Sequence, residues 1–423
     1  MSASDTYIDG FSEFLQASPS SYHAAEEVAR ALEERGFTRL DEADDWAADA
    51  GRWVIVRDGA VLAWAVPDGA GALTPFRIIG AHTDSPGFKL KPHPSTATRG
   101  WLQAGVEIYG GPLLNSWLDR ELELAGRIVT ADGSQHLVRT GPLLRIPQLA
   151  IHLDRGVNDG LALDKQRHTQ PVWGVGDGSG ADILEHLAGI AGIDAVDIAG
   201  YDLLTVDAAA PARFGLDGAL FAAGRMDNLT SVHAGLVALA AAPDDAAHIS
   251  VLAAFDHEEL GSESRSGASG PVLEDLLARI SAGLGASVTE RLRALSASWC
   301  VSSDAGHAVH PNYPERHDPV NQPVPGGGPL LKLNANQRYA TDAVGSALWL
   351  RACAAADVPF QEFVSNNTVP CGSTIGPLTA TRLGIRTVDV GPALLSMHSA
   401  RELADVDDLH ALTLALTAFL AGA

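Results

Sequence analysis

The chain has 423 residues, of which 46% are hydrophobic and 19% are charged, so it is long enough for more than one hydrophobic core. Acidic residues outnumber basic ones by 52 to 29, and the formal net charge of -23 disfavours nucleic acid and anionic membranes as partners. With 3 cysteines, no basic start for a signal peptide and no apolar run of membrane-spanning length, the sequence predicts a cytoplasmic protein without a disulfide framework.

The N-terminal part of the chain has the hydrophobic pattern of an α/β fold. Residues 21–35 have the periodicity of an amphipathic helix. Segments 53–57 and 60–66 flank an Asp-Gly turn and predict a β-hairpin. The apolar run 76–81 predicts a buried strand that ends at His82.

The pattern changes in the middle of the chain. From about Pro94 to Pro211, short alternating runs broken by Gly and Pro predict a β-rich unit that interrupts the α/β domain as an insertion would. The α/β pattern then resumes, with helices at about 228–242 and 341–356 and a strand at 249–255. We therefore predict a catalytic domain in two parts, residues 1–93 and 222–423, and an inserted β-rich unit at residues 94–221.

Several segments contain residue types that bind zinc, and three of them directly follow apolar, strand-like runs. In an α/β sheet, the loops at the carboxyl ends of the strands converge on a ligand site. Two imidazoles, three carboxylates and a spare glutamate supply what a two-zinc hydrolase requires, namely ligands for both metals, a bridging carboxylate and a base for the attacking water. The candidate residues are His82, Asp227, the adjacent pair Glu258 and Glu259, Asp304, and His398.

Two further positions have predicted roles beside the ligands. Asp84 lies two residues after His82, on the same side of an extended segment, where it can accept the imidazole N–H and orient the ring. The side chains of Glu258 and Glu259 diverge, so one can bind metal while the other holds the proton of the water. We assign Glu259 as the ligand and Glu258 as the general base, an order that rests partly on the family resemblance given below.

Other catalytic classes lack their motifs. The chain has no Gly-x-Ser-x-Gly segment, and His257-Glu258 is not followed by the second histidine of a His-Glu-x-x-His zinc protease. The cysteines lack neighbouring histidine signatures. A serine, cysteine or single-zinc protease is therefore disfavoured.

Longer composite segments occur along nearly the whole chain in the order found in a known family. They are Ser-Pro-Ser-Ser-Tyr-His at 18–23, Arg-Ile-Pro-Gln-Leu-Ala-Ile-His at 145–152, His-Pro-Asn-Tyr-Pro-Glu-Arg-His-Asp at 310–318, Lys-Leu-Asn-Ala-Asn-Gln-Arg-Tyr at 332–339, and Pro-Cys-Gly-Ser-Thr-Ile-Gly-Pro at 370–377. With these segments and the metal motifs, the chain resembles an aspartyl aminopeptidase of the cytosolic dizinc aminopeptidase clan.

The resemblance implies a fold class and an assembly. The fold is a mixed-sheet α/β/α zinc exopeptidase domain, split by an inserted β-rich dimerisation domain that serves in subunit contacts. The assembly is a homo-oligomer, specifically a tetrahedral dodecamer. None of this oligomeric detail comes from the spacing of the residues.

By motif position, the resemblance also implies two zinc ions per subunit, with Asp227 as the bridging ligand and Glu258 as the base. His307, Lys332 and Tyr339 match substrate-contacting positions. His152 matches one as well; it lies in the insertion, where it can serve the site of a neighbouring subunit, and a metal role for it stays open.

The predicted function is a zinc-dependent exopeptidase that removes one N-terminal residue, preferably Asp or Glu, from peptide substrates. The metals polarise the scissile carbonyl and activate a water, while Glu258 takes its proton and later delivers one to the leaving amine. Lys332 is the candidate cation for the side-chain carboxylate of the substrate. Family members commonly carry an Asp two residues before Pro-Cys-Gly, where this chain has Thr368, a departure that puts a strict acidic preference in question. The alternatives are a broader-specificity aminopeptidase or amidohydrolase, and a non-catalytic zinc-binding scaffold protein.

Overall fold

The computed structural model describes residues 3–46 and 49–423. The α-helices in these residues are α1 (Ala3–Ala17), α2 (Ser21–Glu33), α3 (Ile183–Ala191), α4 (Met226–Ala240), α5 (Val272–Gly283), α6 (Val288–Ser296), α7 (Ala343–Ala356), α8 (Ile375–Leu383) and α9 (Val406–Leu420).

The strands form three sheets. They are β1 (Thr38–Arg39), β2 (Gly51–Arg57), β3 (Ala60–Val66), β4 (Phe76–His82), β5 (Gly87–Thr98), β6 (Trp101–Tyr109), β7 (Leu122–Thr130), β8 (Gln135–Arg139), β9 (Val172–Val175), β10 (Ile198–Asp207), β11 (Ala212–Phe214), β12 (Leu220–Ala223), β13 (Ile249–Phe255), β14 (Trp299–Ser303), β15 (Gly306–His307), β16 (Leu330–Leu333), β17 (Gln361–Val364), β18 (Arg386–Gly391), β19 (Ala393–Leu395) and β20 (Glu402–Asp405).

The largest sheet has nine strands in the order β1-β2-β3-β13-β4-β14-β18-β16-β17. Its central strands β13, β4, β14 and β18 run parallel to one another, so their carboxyl ends lie at the same edge of the sheet. The sheet is mixed, because β3 and β16 pair antiparallel with this parallel group. The predicted hairpin is β2–β3, and the predicted strand that ends at His82 is β4.

Helices cover both faces of this sheet. Successive residues of the fully buried strand β13 alternate between two hydrophobic cores, with Leu252 in one core and Val251 in the other. The core that contains Leu252 also includes residues of α1, α2, α4, α7 and α9, whereas the opposite core includes residues of α5 and α8. This arrangement confirms the predicted mixed-sheet α/β/α fold.

A second sheet has six strands in the order β8-β7-β10-β5-β6-β9, all paired antiparallel, and α3 packs on it around a separate core. We propose residues 87–207 as the inserted unit. Strand β5 crosses the boundary predicted at residue 94, and β12, which pairs with β20 rather than with this sheet, crosses the one predicted at residue 221.

The third sheet has five strands in the order β11-β12-β20-β19-β15. It joins the segment that follows the insertion to the C-terminal segment, which is how two distant parts of the sequence reach the same edge of the large sheet. Within the described residues, none of the helices has the length and hydropathy required to cross a bilayer.

Candidate metal centre

Four candidate residues, in three segments, lie where parallel strands of the large sheet end. His82 is the last residue of β4, and Asp304 directly follows β14. The register pairs Phe255, the end of β13, with His82, so the turn that contains Glu258 and Glu259 begins beside the histidine. The predicted convergence of these motifs is therefore observed, because adjacent parallel strands stop at the same level.

A close backbone approach supports Asp304. The amide N–H of Asp304 donates to the carbonyl of Val390 at 2.9 Å. The next residue, Gly391, has φ +159°, and a Cβ at this position would lie 1.7 Å from the carbonyl oxygen of Asp304. Only glycine allows β18 to lie this close to the Asp304 segment.

Asp227 and His398 lie in segments next to strands of the five-stranded sheet. Asp227 lies at the start of α4, shortly after β12, and His398 lies in the loop between β19 and β20 with φ +64°. Strands β12 and β20 pair antiparallel, with Ala223 opposite Glu402, and this pairing brings the two ligand-bearing segments together.

The carboxylate of Asp227 lies between the two histidines. Its Oδ1 is 3.3 Å from Nε2 of His82, and its Oδ2 is 3.4 Å from Nε2 of His398. Asp304 adds an oxygen 3.5 Å from the His82 nitrogen, and Glu259 adds one 3.4 Å from the His398 nitrogen. The side chains thus form two triads, His82–Asp227–Asp304 and Asp227–Glu259–His398, that share Asp227. A third group of close donor atoms, His82, Glu258 and Glu259, shares one residue with each triad.

These residues fit zinc. Nitrogen and carboxylate oxygen are its ordinary protein ligands. Oδ1 of Asp227 and Oε1 of Glu259 are buried and accept no hydrogen bond from a described residue, as expected for atoms that complete a metal shell. Each triad has its donor atoms close enough together to hold one ion.

The charges of the site are strongly coupled. Burial lowers the pKa of His398, but the carboxylates of Asp227 and Glu259 outweigh burial and raise it to about 10. Burial and the nearby carboxylates of Asp304 and Asp227 raise the pKa of Glu258 to about 7, although His82 opposes the shift. A cation between these groups would relieve the crowding of negative charge.

Glu258 and Glu259 face different parts of the site. Oε2 of Glu258 is 4.0 Å from Nε2 of His82, and its side chain is 18% exposed, compared with 5% for Glu259. Both glutamates line the cavity, but Glu259 lies within the triad around His398, whereas the more exposed Glu258 belongs only to the group that it forms with His82 and Glu259.

Asp84 lies beside the His82 ring and also makes contacts that the sequence prediction did not include. Nδ1 of His82 is 3.0 Å from the main-chain oxygen of Asp84, closer than the carboxylate at 3.5 Å. The carboxylate also accepts the amide N–H groups of Glu258 at 3.0 Å and Glu259 at 3.2 Å, and the hydroxyl of Tyr109 at 2.8 Å. Asp84 thus orients the ring through its backbone and holds the glutamate turn through its side chain.

A cavity of about 300 Å³ opens beside the triads, and Glu258, His307, Lys332 and Tyr339 line it. Lys332 is 1% exposed, and its ammonium donates to the carbonyl of Ala305 at 2.7 Å and lies 5.3 Å from the centre of the Tyr339 ring. The other predicted substrate residue, His152, is exposed on the loop between β8 and β9 and does not line this cavity.

Sequence reasoning missed Glu402 and Tyr109. Glu402 lies four residues after His398, but an acid at that distance from a ligand has no sequence feature that separates it from an exposed acid. Tyr109 ends β6 of the inserted unit, and its contact with Asp84 depends on how the unit packs on the large sheet.

Comparisons with known proteins agree over nearly the whole chain. A family model described as aminopeptidase I zinc metalloprotease (M18) matches residues 14–420. A probable M18 family aminopeptidase 2 from Streptomyces avermitilis is 56% identical over 422 residues, which cover 98% of each chain. Ape4, solved in a complex with Nbr1, has a TM-score of 0.95 and 34% identity over 99% of this chain and 86% of its own. The mApe1 dodecamer of S. cerevisiae has a TM-score of 0.86 and 28% identity over 98% of this chain and 96% of its own.

Proposed function

This chain belongs to the M18 family of zinc metalloprotease aminopeptidases, and we propose that it removes N-terminal Asp or Glu residues from peptides with two zinc ions per subunit. Family membership makes the protein a zinc-dependent peptidase. We propose in addition the number of zinc ions, the roles of individual residues and the preference for acidic N-terminal residues.

The observation that carries the two-zinc proposal is the position of Asp227. Its two oxygens approach different histidines, at 3.3 Å and 3.4 Å, and each histidine has a second carboxylate beside it. A single-metal site would not need a carboxylate shared between two complete triads. We therefore assign His82 and Asp304 to one zinc, Glu259 and His398 to the other, and Asp227 to both.

Glu258 is the proposed general base. Bound zinc would polarise the scissile carbonyl and lower the pKa of the attacking water. Glu258 belongs to neither proposed ligand set, faces the cavity and is held by the Asp84 carboxylate through its backbone N–H. It can accept the proton of the water and return it to the leaving amine.

Lys332 supports the acidic preference. Its ammonium is buried in the wall of the cavity, and no carboxylate of the described residues forms an ion pair with it. The buried carboxyl of Asp389 interacts electrostatically with Lys332 but forms no ion pair with it, and a substrate carboxylate would supply a direct partner for the buried cation. His307 and Tyr339 line the same part of the cavity, and we propose that both contact the substrate.

One observation favours a broader specificity. Thr368 occupies the place where family members commonly carry an Asp, and it lies in an exposed turn with a hydrogen bond to Asn366. If the acid is needed for strict selection, neutral N-terminal residues would also be accepted. The scaffold alternative has no such support, because a zinc site without catalysis has no use for Glu258.

We also propose that the protein is a homo-oligomer, most specifically a tetrahedral dodecamer. The mApe1 relative is a dodecamer, and the loop that contains His152 exposes Leu149 by 59% and Leu153 by 74%. Apolar side chains exposed side by side commonly mark subunit contacts. In such an assembly His152 would act at a neighbouring site. The unpaired cysteines Cys300, Cys353 and Cys371 suit the proposed cytoplasmic location.

A panel of Asp-, Glu-, Leu- and Ala-anilides, assayed with and without a chelator, tests the function. We expect cleavage of the Asp and Glu substrates that stops when the chelator removes zinc. Cleavage that survives full removal of metal would contradict the zinc mechanism. Equal cleavage of Leu-anilide would replace the acidic preference with the broader alternative.

A further inference from the structure

Glu402 holds the backbones of two proposed zinc ligands at the same time. It is the first residue of β20 and is 2% exposed. Its Oε2 accepts the amide N–H of Asp227 at 3.0 Å, and its Oε1 accepts the amide N–H of His398 at 2.9 Å. One buried side chain therefore connects two ligand segments that lie far apart in the sequence.

Neither of these amide groups has an acceptor from regular secondary structure. Asp227 is in the first turn of α4 and has non-helical angles, φ -85° and ψ 103°, so its N–H points outside the helical ladder. His398 has φ +64° in the loop between β19 and β20. Because buried N–H groups need an acceptor, the conformation of both ligands depends on the Glu402 carboxylate.

The strand register delivers Glu402 to this position. It lies opposite Ala223, the last residue of β12, and β12 leads into the segment that contains Asp227. The loop that contains His398 ends where β20 begins. A glutamate at the start of β20 therefore lies between the two ligand backbones, with one oxygen for each.

We infer that Glu402 is a positioning residue, which holds Asp227 and His398 so that both can bind the same zinc ion. The inference rests on the proposed two-zinc site. A glutamine at this position keeps the shape of the side chain but replaces one oxygen by an NH2 group. That group would face an amide N–H, so one of the two ligands would lose its acceptor.

Asp408 provides a matched control for this substitution. It is 1% exposed, and its two oxygens accept the amide N–H groups of Gly326 at 2.9 Å and Gly328 at 2.6 Å. Glu402 and Asp408 are thus equally buried carboxylates that each hold two backbone amides. Neither Asp408 nor the glycines it holds line the metal cavity, so Asp408→Asn should disturb folding without changing the zinc site.

The experiment compares the full-length wild type, Glu402→Gln and Asp408→Asn. Each protein is stripped of metal and dialysed against a series of buffered free Zn²⁺ concentrations, and the bound zinc per subunit is measured. We expect Glu402→Gln to lower the affinity for one of the two zinc ions by about 10- to 100-fold, as is usual when a residue that orients a metal ligand is changed. Asp408→Asn should leave the affinity for both zinc ions unchanged. High free zinc should restore full occupancy of Glu402→Gln, and Co²⁺ should show an altered absorption spectrum in that variant alone.

The outcomes separate the two proposals. Wild-type zinc affinity in Glu402→Gln, or an equal loss in Asp408→Asn, would overturn the positioning role and leave the two-zinc site intact. A wild type that binds fewer than two ions would overturn the two-zinc proposal and this inference with it. Thermal unfolding in chelator reports folding of each variant. If Glu402→Gln does not fold, Glu402→Asp replaces it in the experiment. This variant keeps the charge but has a shorter side chain, and it should show the same loss of affinity for one zinc ion.

Discussion

Glu258 and Glu259 are adjacent in the chain, yet their carboxylates approach different histidines. Oε2 of Glu259 lies 3.4 Å from Nε2 of His398, and Oε2 of Glu258 lies 4.0 Å from Nε2 of His82. The Asp84 carboxylate holds both backbone amides, and from this turn one glutamate reaches towards His398 and the other towards His82.

Glu258→Gln should therefore keep both zinc ions and lose nearly all turnover. The amide preserves the shape of the side chain but cannot accept the proton of the water, and loss of a general base typically costs about 100- to 10,000-fold in rate. Glu259→Gln is the matched neighbour and should instead lower the zinc content. Metal analysis and anilide hydrolysis of both purified variants measure the two effects, and the reverse pattern would show that the roles are exchanged.

Lys332→Met should reduce cleavage of Asp-anilide far more than cleavage of Leu-anilide. The methionine removes the cation for the substrate carboxylate, and a hydrogen bond to a charged group contributes about 1.5 to 3 kcal/mol. Lys89→Met is the control, because Lys89 forms an ion pair with Asp202 in the inserted unit, away from the cavity. The ratio of kcat/KM values for the two substrates decides the matter, and an equal loss on both would mean that Lys332 supports the site without selecting acidic residues.

Mixed assemblies should reveal whether His152 acts at a neighbouring site. His152→Ala and Glu258→Gln should each be nearly inactive as pure oligomers. Co-expressed, they should form some sites that combine an intact Glu258 with the intact His152 of a neighbour, on the order of a quarter of all sites if the subunits mix at random. Specific activity and light scattering of the mixed particles give the answer. No recovery in a mixed oligomer would place His152 outside catalysis in trans, and a purely monomeric protein would contradict the assembly itself.

Acid should destabilise the core through His233. This histidine of α4 is buried against the rings of Tyr7, Phe11 and Phe14 at centroid distances of 5.1 to 5.3 Å, and burial lowers its pKa from 6.5 to about 3. In the unfolded chain this histidine binds a proton below about pH 6.5, whereas in the folded protein it stays neutral down to about pH 3. The free energy of unfolding therefore falls as the pH decreases through this window.

His233→Phe removes that titration, and the free energy of unfolding should then depend less on pH, by on the order of 1 kcal/mol per pH unit within the window. Denaturant unfolding at pH 7 and pH 5 measures the difference. His93→Gln, at an exposed position of β5, should keep the wild-type dependence. An unchanged pH dependence in His233→Phe would show that other groups dominate the acid response.

The sequence by itself determined the elements and the chemistry at the strand ends. His82 ends β4, Asp304 directly follows β14, and the glutamate pair lies in the turn after β13. A strand of apolar residues can be predicted from its local pattern. Adjacent parallel strands then have to bring their carboxyl ends together. The residue types of the five proposed ligands likewise followed from what zinc accepts.

Only the tertiary structure decided how those residues face one another. The pairing of β12 with β20 brings Asp227 to His398, and it also makes Glu402 the acceptor for both backbones. Asp84 was predicted as a partner of the His82 ring, and its carboxylate lies 3.5 Å from the ring nitrogen, but the sequence did not indicate that it also holds the glutamate turn. The physical reason is the range of the interactions. Hydrophobic periodicity acts over a few residues and is visible in the sequence, whereas hydrogen bonds between distant segments depend on the packing of the whole chain.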